Sequence, residues 1–293
     1  MAVVTPLPPV DAASWSRLSD VLSELALSAG ALIEEIAAKG FDLTEKDDGS
    51  PATTADTSAE ALITAGLSEA FPGIQIIGEE AVSRGGPGPV GGVFFLVDPL
   101  DGTREFLKRN GNYTVNIALI SDHLPVAGVV YAPALGRLFV TTGPDEAVEI
   151  AIAAGERCDI AEAIAKGKVL KTAAVPEGTP QRALISQSHA DPETLAYLKS
   201  KGCASIAVGS SFKFCMIAAG EADLYPRFGP TSAWDTAAGQ AILEQAGGSV
   251  WDEDGRRLSY ARAADTPFGY TLKNPAFIAH ASKDVPAFDV HRS

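Results

Sequence analysis

The segment "FFLVDPLDGTREFL", residues 94–107, places a run of apolar residues directly before two aspartates. The four residues that open it are continuous, bulky and β-favouring, which predicts a short core strand. Pro99 cannot donate a hydrogen bond to a neighbouring strand, so we expect the strand to end near Asp98, and Gly102 permits a tight turn before the next helix. The segment therefore predicts the carboxylates of Asp98 and Asp101 at the end of one strand.

Composition and charge limit the kinds of protein that this chain can be. It has 293 residues, of which 46% are hydrophobic and 20% charged, as expected of a soluble globular protein with one large domain or two packed halves. No apolar run reaches the roughly 18 residues that a membrane span needs. The net charge of −14 disfavours nucleic acids and anionic membranes as partners.

The three cysteines are scattered and form no CxxC pair, which argues against a disulfide framework and against a thiolate metal site. The segment before the first expected helix has no basic residue ahead of its short apolar part, unlike a signal peptide. An intracellular protein is expected on both grounds.

The order of elements predicts two halves, residues 1–180 and 181–293. Apolar residues at helical spacing predict a long helix over 15–39, and a second helix is expected to begin near Thr57. After about residue 180, short strands and helices alternate, as in an α/β unit. In the first half five strands are expected: 74–77, 93–97, 113–120, 126–131 and 137–141. The last three are joined by connections too short for parallel crossovers, so they should be antiparallel neighbours.

Other acidic residues also stand at expected element boundaries. Glu79 directly follows an apolar strand, and Asp56 and Asp235 each lie at an expected helix start. Each one alone is equally well explained as a helix cap or a solvated charge. Hard cations such as Mg²⁺ prefer carboxylate and carbonyl oxygens, and acids gathered without cations would repel one another. Together these acids predict a metal site, to which the Leu100 carbonyl would be free to contribute because a turn leaves it unpaired.

Two further patterns indicate the chemistry of this site. No histidine or thiolate stands at metal-ligand spacing, which disfavours zinc. Gly102 and Thr103 directly precede an expected helix, whose free amides favour a phosphate. Phosphatases that use an aspartyl nucleophile carry Asp-x-Asp, whereas the spacing here is Asp-x-x-Asp. The sequence therefore predicts phosphoryl chemistry with attack by a metal-activated water.

The motifs "VDPLDGT", "GEE" and "WDTAAG", in this order, resemble the inositol monophosphatase superfamily of Mg²⁺-dependent, lithium-sensitive phosphatases. The segments "SQSHAD", "GSSFKFC" and "LYPRFGPTSAWDTAAG" are similar to its bacterial 3′(2′),5′-bisphosphate nucleotidase branch, which serves sulfate assimilation. The resemblance implies an α+β fold, a two-part αβαβα five-layer sandwich of the inositol monophosphatase and fructose-1,6-bisphosphatase type. It also implies removal of the 3′-phosphate of 3′-phosphoadenosine 5′-phosphate, which gives AMP and phosphate.

The resemblance further implies two to three Mg²⁺ ions as cofactors. It assigns the first ion to Glu79, Asp98 and the Leu100 carbonyl, and the second to Asp98, Asp101 and Asp235. Asp56 would help to hold a weaker third ion through water. Thr103, together with Glu79, would orient the nucleophilic water. The residues with catalytic roles are therefore Glu79, Asp98, Asp101 and Thr103.

Substrate contacts are implied by the same resemblance. They are Gly102, Thr103, Ser188, His189, Ser210, Lys213, Arg227 and Asp235. Ser188 and His189 equally fit a turn and helix cap. The alternative for Lys213 is a surface lysine whose stem packs on apolar neighbours, but its place between two phenylalanines in an acidic chain favours a binding role. Ser210, Lys213 and Arg227 would hold the 5′-phosphate and ribose.

Two alternatives stay open at this point. One is an inositol-phosphate or fructose-1,6-bisphosphate phosphatase, and the other is a non-catalytic protein that binds nucleotide or metal. The expected partner is a small phosphorylated nucleotide, with no nucleic acid and no integral membrane segment. The expected location is the cytoplasm, which is compatible with peripheral association with the inner membrane. A homodimer is one of the oligomeric states left open.

Overall fold

The computed structural model describes residues 12–45, 49, 51–86, 90–176, 178–188, 190–261 and 271–284. Two long helices, α1 (Ala12–Lys39) and α2 (Thr54–Ala70), cover one face of the larger sheet. A short antiparallel hairpin of β1 (Leu43–Glu45) and β2 (Pro51–Thr53) joins them. None of the helices in these ranges is long and apolar enough to cross a membrane.

Helix α2 begins three residues earlier than the sequence predicted. The Thr53 side chain accepts a hydrogen bond from the N–H of Ala55, and the Asp56 side chain bonds back to the Thr53 N–H. This reciprocal capping box starts the helix at Thr54 because it satisfies amides that have no partner within the helix. Thr57, the expected start, lies inside the first turn.

The larger sheet has seven strands in the order β3-β4-β5-β6-β7-β8-β9. Its strands are β3 (Gln75–Gly78), β4 (Val93–Asp101), β5 (Thr114–Ser121), β6 (Leu124–Ala132), β7 (Arg137–Gly143), β8 (Glu146–Ala151) and β9 (Lys168–Val169). Strands β3 and β4 are parallel, and the other neighbours are antiparallel, which confirms the arrangement predicted for β5, β6 and β7. Three short helices follow or interrupt these strands: α3 (Glu79–Ser83), α4 (Thr103–Leu107) and α5 (Ile160–Ala165).

The expectation that β4 ends near Asp98 is wrong. The strand runs on to Asp101, and its pairing with β5 shifts register between Asp98 and Asp101. Pro99 lies within this irregular stretch, where a missing N–H breaks no regular ladder bond. Proline therefore bends the strand instead of ending it, and both aspartates stay at the sheet's edge.

The smaller sheet has five strands in the order β11-β10-β12-β14-β13. Its strands are β10 (Arg182–Ser186), β11 (Ala204–Val208), β12 (Leu224–Arg227), β13 (Ser249–Asp252) and β14 (Phe277–His280). Its helices are α6 (Pro192–Ser200), α7 (Phe212–Ala218) and α8 (Ala237–Gln245). Strand β10 is parallel to both of its neighbours, whereas β14 is antiparallel to β12 and β13. Strand β14 is not among the strands predicted from the sequence, and its antiparallel pairing makes this sheet mixed.

Three apolar clusters show how the layers stack. Leu22 and Ile63 of the first helices pack with Phe95 and Tyr131 on the outer face of the large sheet. A central cluster joins the inner faces of both sheets through α7 and α8. A third cluster, including Tyr197 of α6, lies on the outer face of the small sheet. The order is thus helix, sheet, helix, sheet, helix, which confirms the predicted five-layer sandwich.

The two sheets use residues 75–169 and 182–280, on either side of the predicted boundary at residue 180. The central cluster is shared by both halves, because α7 and α8 contact strands of both sheets. The division into two domains therefore stays a prediction.

Gly128 allows the central layer to approach the large sheet closely. A Cβ at this position of β6 would lie 2.8 Å from the carbonyl oxygen and 2.9 Å from the Cα of Ala238 in α8. Both are main-chain atoms, so Gly128→Ala must displace the helix. We expect a loss of about 1–3 kcal/mol in the free energy of unfolding, measured by urea denaturation.

Gly91→Ala is the matched control, because the nearest atom to its added Cβ would be 4.0 Å away. At this exposed position the substitution should leave the free energy of unfolding unchanged, or raise it by about 0.4–1 kcal/mol because alanine lowers the conformational entropy of the unfolded chain. Equal losses in the two variants would contradict the close approach of α8 to β6.

Candidate metal centre and substrate site

Four carboxylates predicted from the sequence meet at one edge of the large sheet. Strands β3 and β4 are parallel, and Gly78 pairs with Val97. Glu79 and Asp98 directly follow these two residues, so they lie at the same edge of the sheet. Asp98 is 1% exposed. Asp101 follows at the end of β4, and Asp235 arrives from the 3-10 turn Ala233–Asp235 before α8. The charges of Glu79, Asp101 and Asp235 all act on Asp98.

Burial raises the pKa values of Asp98, Asp101 and Asp235, and repulsion by neighbouring carboxylates adds to this effect at Asp98 and Asp235. For Asp98, burial raises the pKa well above its usual range, and the neighbouring Glu79 charge raises it further. For Asp235, burial and then the Asp101 charge raise the pKa to about 8. The Glu79 side chain lies close enough to Asp98 to interact with its carboxyl group directly, which adds to the rise in the pKa of Asp98. The cluster can hold all of its charges at neutral pH only with cations.

The donor set fits a hard divalent cation. It offers carboxylate oxygens, and no histidine or cysteine accompanies them in the sequence-predicted set. Among the described residues, no three histidine, cysteine, aspartate or glutamate side chains already converge as a coordination shell. Mg²⁺ commonly combines a few carboxylates with main-chain oxygen and water.

The Leu100 carbonyl is not left unpaired, contrary to the expectation from a turn. It lies within β4, 3.3 Å from Thr103 Oγ1, whose one proton it shares with Asp56 Oδ1. A carbonyl oxygen has two lone pairs, so this bond leaves one for another partner. The role of Leu100 as a metal ligand stays a prediction.

Asp56 both caps α2 and reaches the site, so the two interpretations of this residue are compatible. Its Oδ2 accepts from the N–H and the Oγ1 of Thr53, at 2.7 and 2.6 Å. Its Oδ1 accepts from Thr103 Oγ1 at 3.1 Å. Burial raises the pKa of Asp56. Asp56 thus connects the start of α2 to the start of α4.

Gly102 and Thr103 form the predicted turn into α4. Gly102 has φ 94°, in the left-handed region, and a Cβ there would lie 3.1 Å from the Asn112 carbonyl oxygen. Glycine is therefore required for both conformation and space. Thr103 is the first residue of α4, beside the acidic cluster, where first-turn amides have no partner within the helix.

Ser211 connects acids from the two halves of the chain. Its N–H and its Oγ lie 2.6 and 2.7 Å from Asp101 Oδ2, and its Oγ lies 2.6 Å from the Asp235 carbonyl oxygen. Asn116 Nδ2 donates to Ser211 Oγ at 2.8 Å. Among the described residues every hydrogen bond to the Asp101 carboxylate uses Oδ2, which leaves Oδ1 for a cation.

Ser211, and not the predicted Ser210, is the serine that bonds Asp101. Ser210 has φ 53°, and its carbonyl accepts a hydrogen bond from Lys213 Nζ. The motif "GSS" holds both serines, and nothing in the sequence distinguishes which one faces Asp101. Backbone conformation decides this choice.

Lys213 is buried, with 3% of its surface exposed, so it is not a surface lysine. Its Nζ donates to the carbonyls of Val208 and Ser210 and lies 4.8 Å from the centre of the Tyr225 ring. Burial above all, with a smaller effect of the nearby Arg227 charge, lowers its pKa to about 8, against the raising effect of Asp101. Its hydrogen bonds to these two carbonyls also stabilise the loop that carries Ser211.

Arg227, at the end of β12, is buried beside Lys213. Its Nη2 donates to the Pro230 carbonyl at 3.0 Å. Two neighbouring buried cations in a chain of net charge −14 repel each other, and an anion between them would relieve this repulsion. The structure thus brings the acidic cluster and a cationic pair into one region.

Ser188 lies against α4. Its Oγ hydrogen bonds to the Glu105 carboxylate, and Lys108 Nζ lies 3.4 Å from the same Oγ. Glu105 is a buried residue that the sequence analysis did not select. His189, predicted as a substrate contact, lies outside the described residues.

Comparison with known proteins places this architecture. The sequence model of the "Inositol monophosphatase family" matches residues 14–286. The chain belongs to the inositol monophosphatase family. Membership confirms the predicted family and, with the donor set, indicates a divalent metal ion.

Relatives within the inositol monophosphatase family are similar over most of their length. The 3′(2′),5′-bisphosphate nucleotidase CysQ of Escherichia coli K12 is 41% identical over 82% of this chain and 93% of that protein. CysQ of Salmonella typhimurium is 42% identical over 81% and 91%. The crystal structure of CysQ from Bacteroides thetaiotaomicron has 34% identity and a TM-score of 0.74, covering 91% of this chain and 98% of that one.

Ser211→Ala tests the connection between Asp101 and Asp235. The variant keeps the main-chain N–H bond but removes the Oγ, so Asn116 loses a partner in a buried position. We expect a loss of about 1–3 kcal/mol in the free energy of unfolding, measured in urea.

Ser200→Ala is the control. Within the described part of the chain its Oγ bonds the Tyr197 carbonyl alone, and Ser200 is exposed at a helix end, so the loss should stay within about 0.5 kcal/mol. A Ser211 variant as stable as this control would contradict the role assigned to the hydroxyl.

Proposed function

We propose that this chain is a Mg²⁺-dependent phosphatase that removes the 3′-phosphate of 3′-phosphoadenosine 5′-phosphate. The products are AMP and phosphate, and the activity would support sulfate assimilation. The observation that carries the proposal is the buried pair Lys213 and Arg227 beside the cluster of Glu79, Asp98 and Asp235. A substrate with two phosphates suits this pairing, because one phosphate can react at the acids while the cations hold the other. Similarity to the CysQ nucleotidases supports the same substrate.

The proposed ion sites follow the donor set. Glu79, Asp98 and the Leu100 carbonyl would hold the first Mg²⁺, and Asp98, Asp101 and Asp235 the second. Asp56 would contribute to a third through water. When bound, such ions supply a water nucleophile at neutral pH and offset negative charge on the phosphate.

Residues of this chain would orient the attacking water and bind the reacting phosphate. Thr103 Oγ1, held between Asp56 Oδ1 and the Leu100 carbonyl, would orient the attacking water together with Glu79. The amides of Gly102 and Thr103 at the start of α4 would bind oxygens of the reacting phosphate. These groups are fixed before the substrate arrives, which favours a single line of attack.

The second phosphate is assigned to the cations. Lys213 and Arg227 would bind the 5′-phosphate by charge-assisted hydrogen bonds. Ser188, His189 and Ser210 would contact the nucleotide near this phosphate. An inositol monophosphate has no second phosphate for these cations, so they distinguish the two candidate substrates.

Asp98→Asn should abolish turnover, because it removes the carboxylate that both proposed ions share. We expect phosphate release to fall at least about a hundredfold, since even partners of metal ligands commonly cost 10–100-fold. The assay measures phosphate from 3′-phosphoadenosine 5′-phosphate, inositol 1-phosphate and fructose 1,6-bisphosphate, with Mg²⁺ and with a chelator.

Asp252→Asn supplies the matched control, since this buried aspartate bonds locally to the N–H groups of Asp254 and Arg256. It should keep most of the activity. Full activity of Asp98→Asn with Mg²⁺ would remove the assignment of the metal site, and a wild type that prefers inositol 1-phosphate or fructose 1,6-bisphosphate would overturn the proposed substrate.

Arg227→Gln should raise the KM for 3′-phosphoadenosine 5′-phosphate about tenfold or more, because hydrogen bonds to a charged group contribute about 1.5–3 kcal/mol. Its kcat should change little, since the lost contact is remote from the reacting phosphate. Hydrolysis of inositol 1-phosphate should be nearly unchanged.

Arg182→Gln is the control for losing a positive charge in the same sheet, where Arg182 pairs with Asp223. It should leave KM unaltered for both substrates. An equal loss on the two substrates in Arg227→Gln would show that Arg227 does not hold a second phosphate.

A further inference from the structure

We propose that Glu60 is a positioning residue, which holds the metal ligand Glu79 in place by capping helix α3. The inference rests on the proposed metal role of Glu79. Glu60 itself would bind no ion, and it acts on the main chain of the short helix on which Glu79 lies.

Glu60 supplies the cap that α3 lacks. The residue before this helix is Gly78, which has no side chain to bond the first-turn amides. Glu60, in α2, is 4% exposed, and its Oε2 accepts from the Glu80 N–H at 2.8 Å. The first-turn amide of Glu80 is thus satisfied by a residue 20 positions earlier in the chain.

Gly78 makes this approach possible. A Cβ at Gly78 would lie 2.3 Å from Glu60 Oε2 and 2.5 Å from its Cδ. The φ of Gly78 is −101°, a conformation open to any residue, so the backbone does not require glycine here. Space for the Glu60 carboxylate is the reason that the structure gives for a glycine before Glu79.

A basic residue contacts the other oxygen of the Glu60 carboxylate. Arg84, directly after α3, lies with its Nη2 3.4 Å from Glu60 Oε1. Glu60 therefore contacts both ends of this five-residue helix, the first turn through Oε2 and the following residue through Oε1. A helix this short has little intrinsic stability, so it depends on such contacts.

Helix α2 consequently fixes two parts of the site from one face. Asp56 and Glu60 are four residues apart, so their side chains lie on the same side of α2. Asp56 bonds Thr103 at the start of α4, and Glu60 bonds the start of α3, which carries Glu79. Without the Glu60 carboxylate, α3 would lose its cap and Glu79 would lose its fixed position opposite Asp98.

The test measures Mg²⁺ binding by isothermal titration calorimetry without substrate, together with the melting temperature. We expect Glu60→Ala to weaken the binding of Mg²⁺ about tenfold, within the 10–100-fold range known for residues that support metal ligands. Glu60→Gln keeps an acceptor oxygen and should recover most of the affinity. Gly78→Ala should weaken binding as well, because the added methyl group displaces the Glu60 carboxylate.

Ile63→Val is the control for a general loss of stability, since Ile63 is buried in the same helix. It should lower the melting temperature and leave Mg²⁺ affinity unchanged. Wild-type affinity in Glu60→Ala and Gly78→Ala would overturn the inference, and so would an equal loss of affinity in Ile63→Val.

Two further results keep the inference separate from the proposed function. A wild type that binds no Mg²⁺ would overturn the proposed metal chemistry itself. If Glu60→Ala does not fold, the pair Glu60→Gln and Gly78→Ala decides: weak binding in Gly78→Ala with near-normal binding in Glu60→Gln supports the role of Glu60, and normal binding in Gly78→Ala overturns it.

Discussion

Repulsion between buried carboxylates is the constraint on which the rest of this site depends. Asp98 is almost wholly removed from water, yet Glu79, Asp101 and Asp235 all act on it with negative charge. A fold can keep such a group of acids only if their side chains are held by hydrogen bonds and the charge is offset by cations. Among the described residues, Ser211 and Asn116 hold Asp101 through Oδ2 alone, whereas Asp56 is bonded at both oxygens, by Thr53 and by Thr103. That arrangement leaves Oδ1 of Asp101 available to a metal.

The sheet brings these acids together through one departure from its antiparallel pattern. Strands β3 and β4 are parallel, so the chain leaves both of them at the same edge, and each is followed by a short helix. The shifted register near Pro99 keeps Asp98 and Asp101 on that edge while the strand continues. Parallel pairing thus brings together residues that are distant in sequence. Side chains of helix α2 then hydrogen bond to both short helices, α3 and α4.

Much of this could be predicted from the sequence, because the signals were local. Helix α1 and the antiparallel strands follow from apolar spacing and short connections, and the acids at element ends follow from the switch between apolar and charged residues. Strand β14 could not be predicted, because a strand of four residues is too short to show a clear hydrophobic periodicity.

Other parts of the site depend on tertiary contacts that no local pattern records. Ser211 and Ser210 are neighbours of the same type, and only the backbone angle at Ser210 directs one of them to Asp101. The burial of Lys213 depends on carbonyls and on a ring from another strand. In the sequence, Glu60 looks like any glutamate on a helix, because its contact with α3 is made only in the folded chain.

The bond network of Ser211 also bears on motion between the two sheets. Asp101 belongs to the large sheet, whereas the Asp235 carbonyl lies at the start of the central helix α8, and one hydroxyl contacts both. A displacement of one side relative to the other would therefore stretch the ligand arrangement proposed for a single ion. Under the proposed assignment, a state in which Asp101 and Asp235 move apart would bind that ion more weakly, and by thermodynamic linkage the bound ion would oppose their separation. The ion would then help to hold the large sheet against the start of the central helix layer.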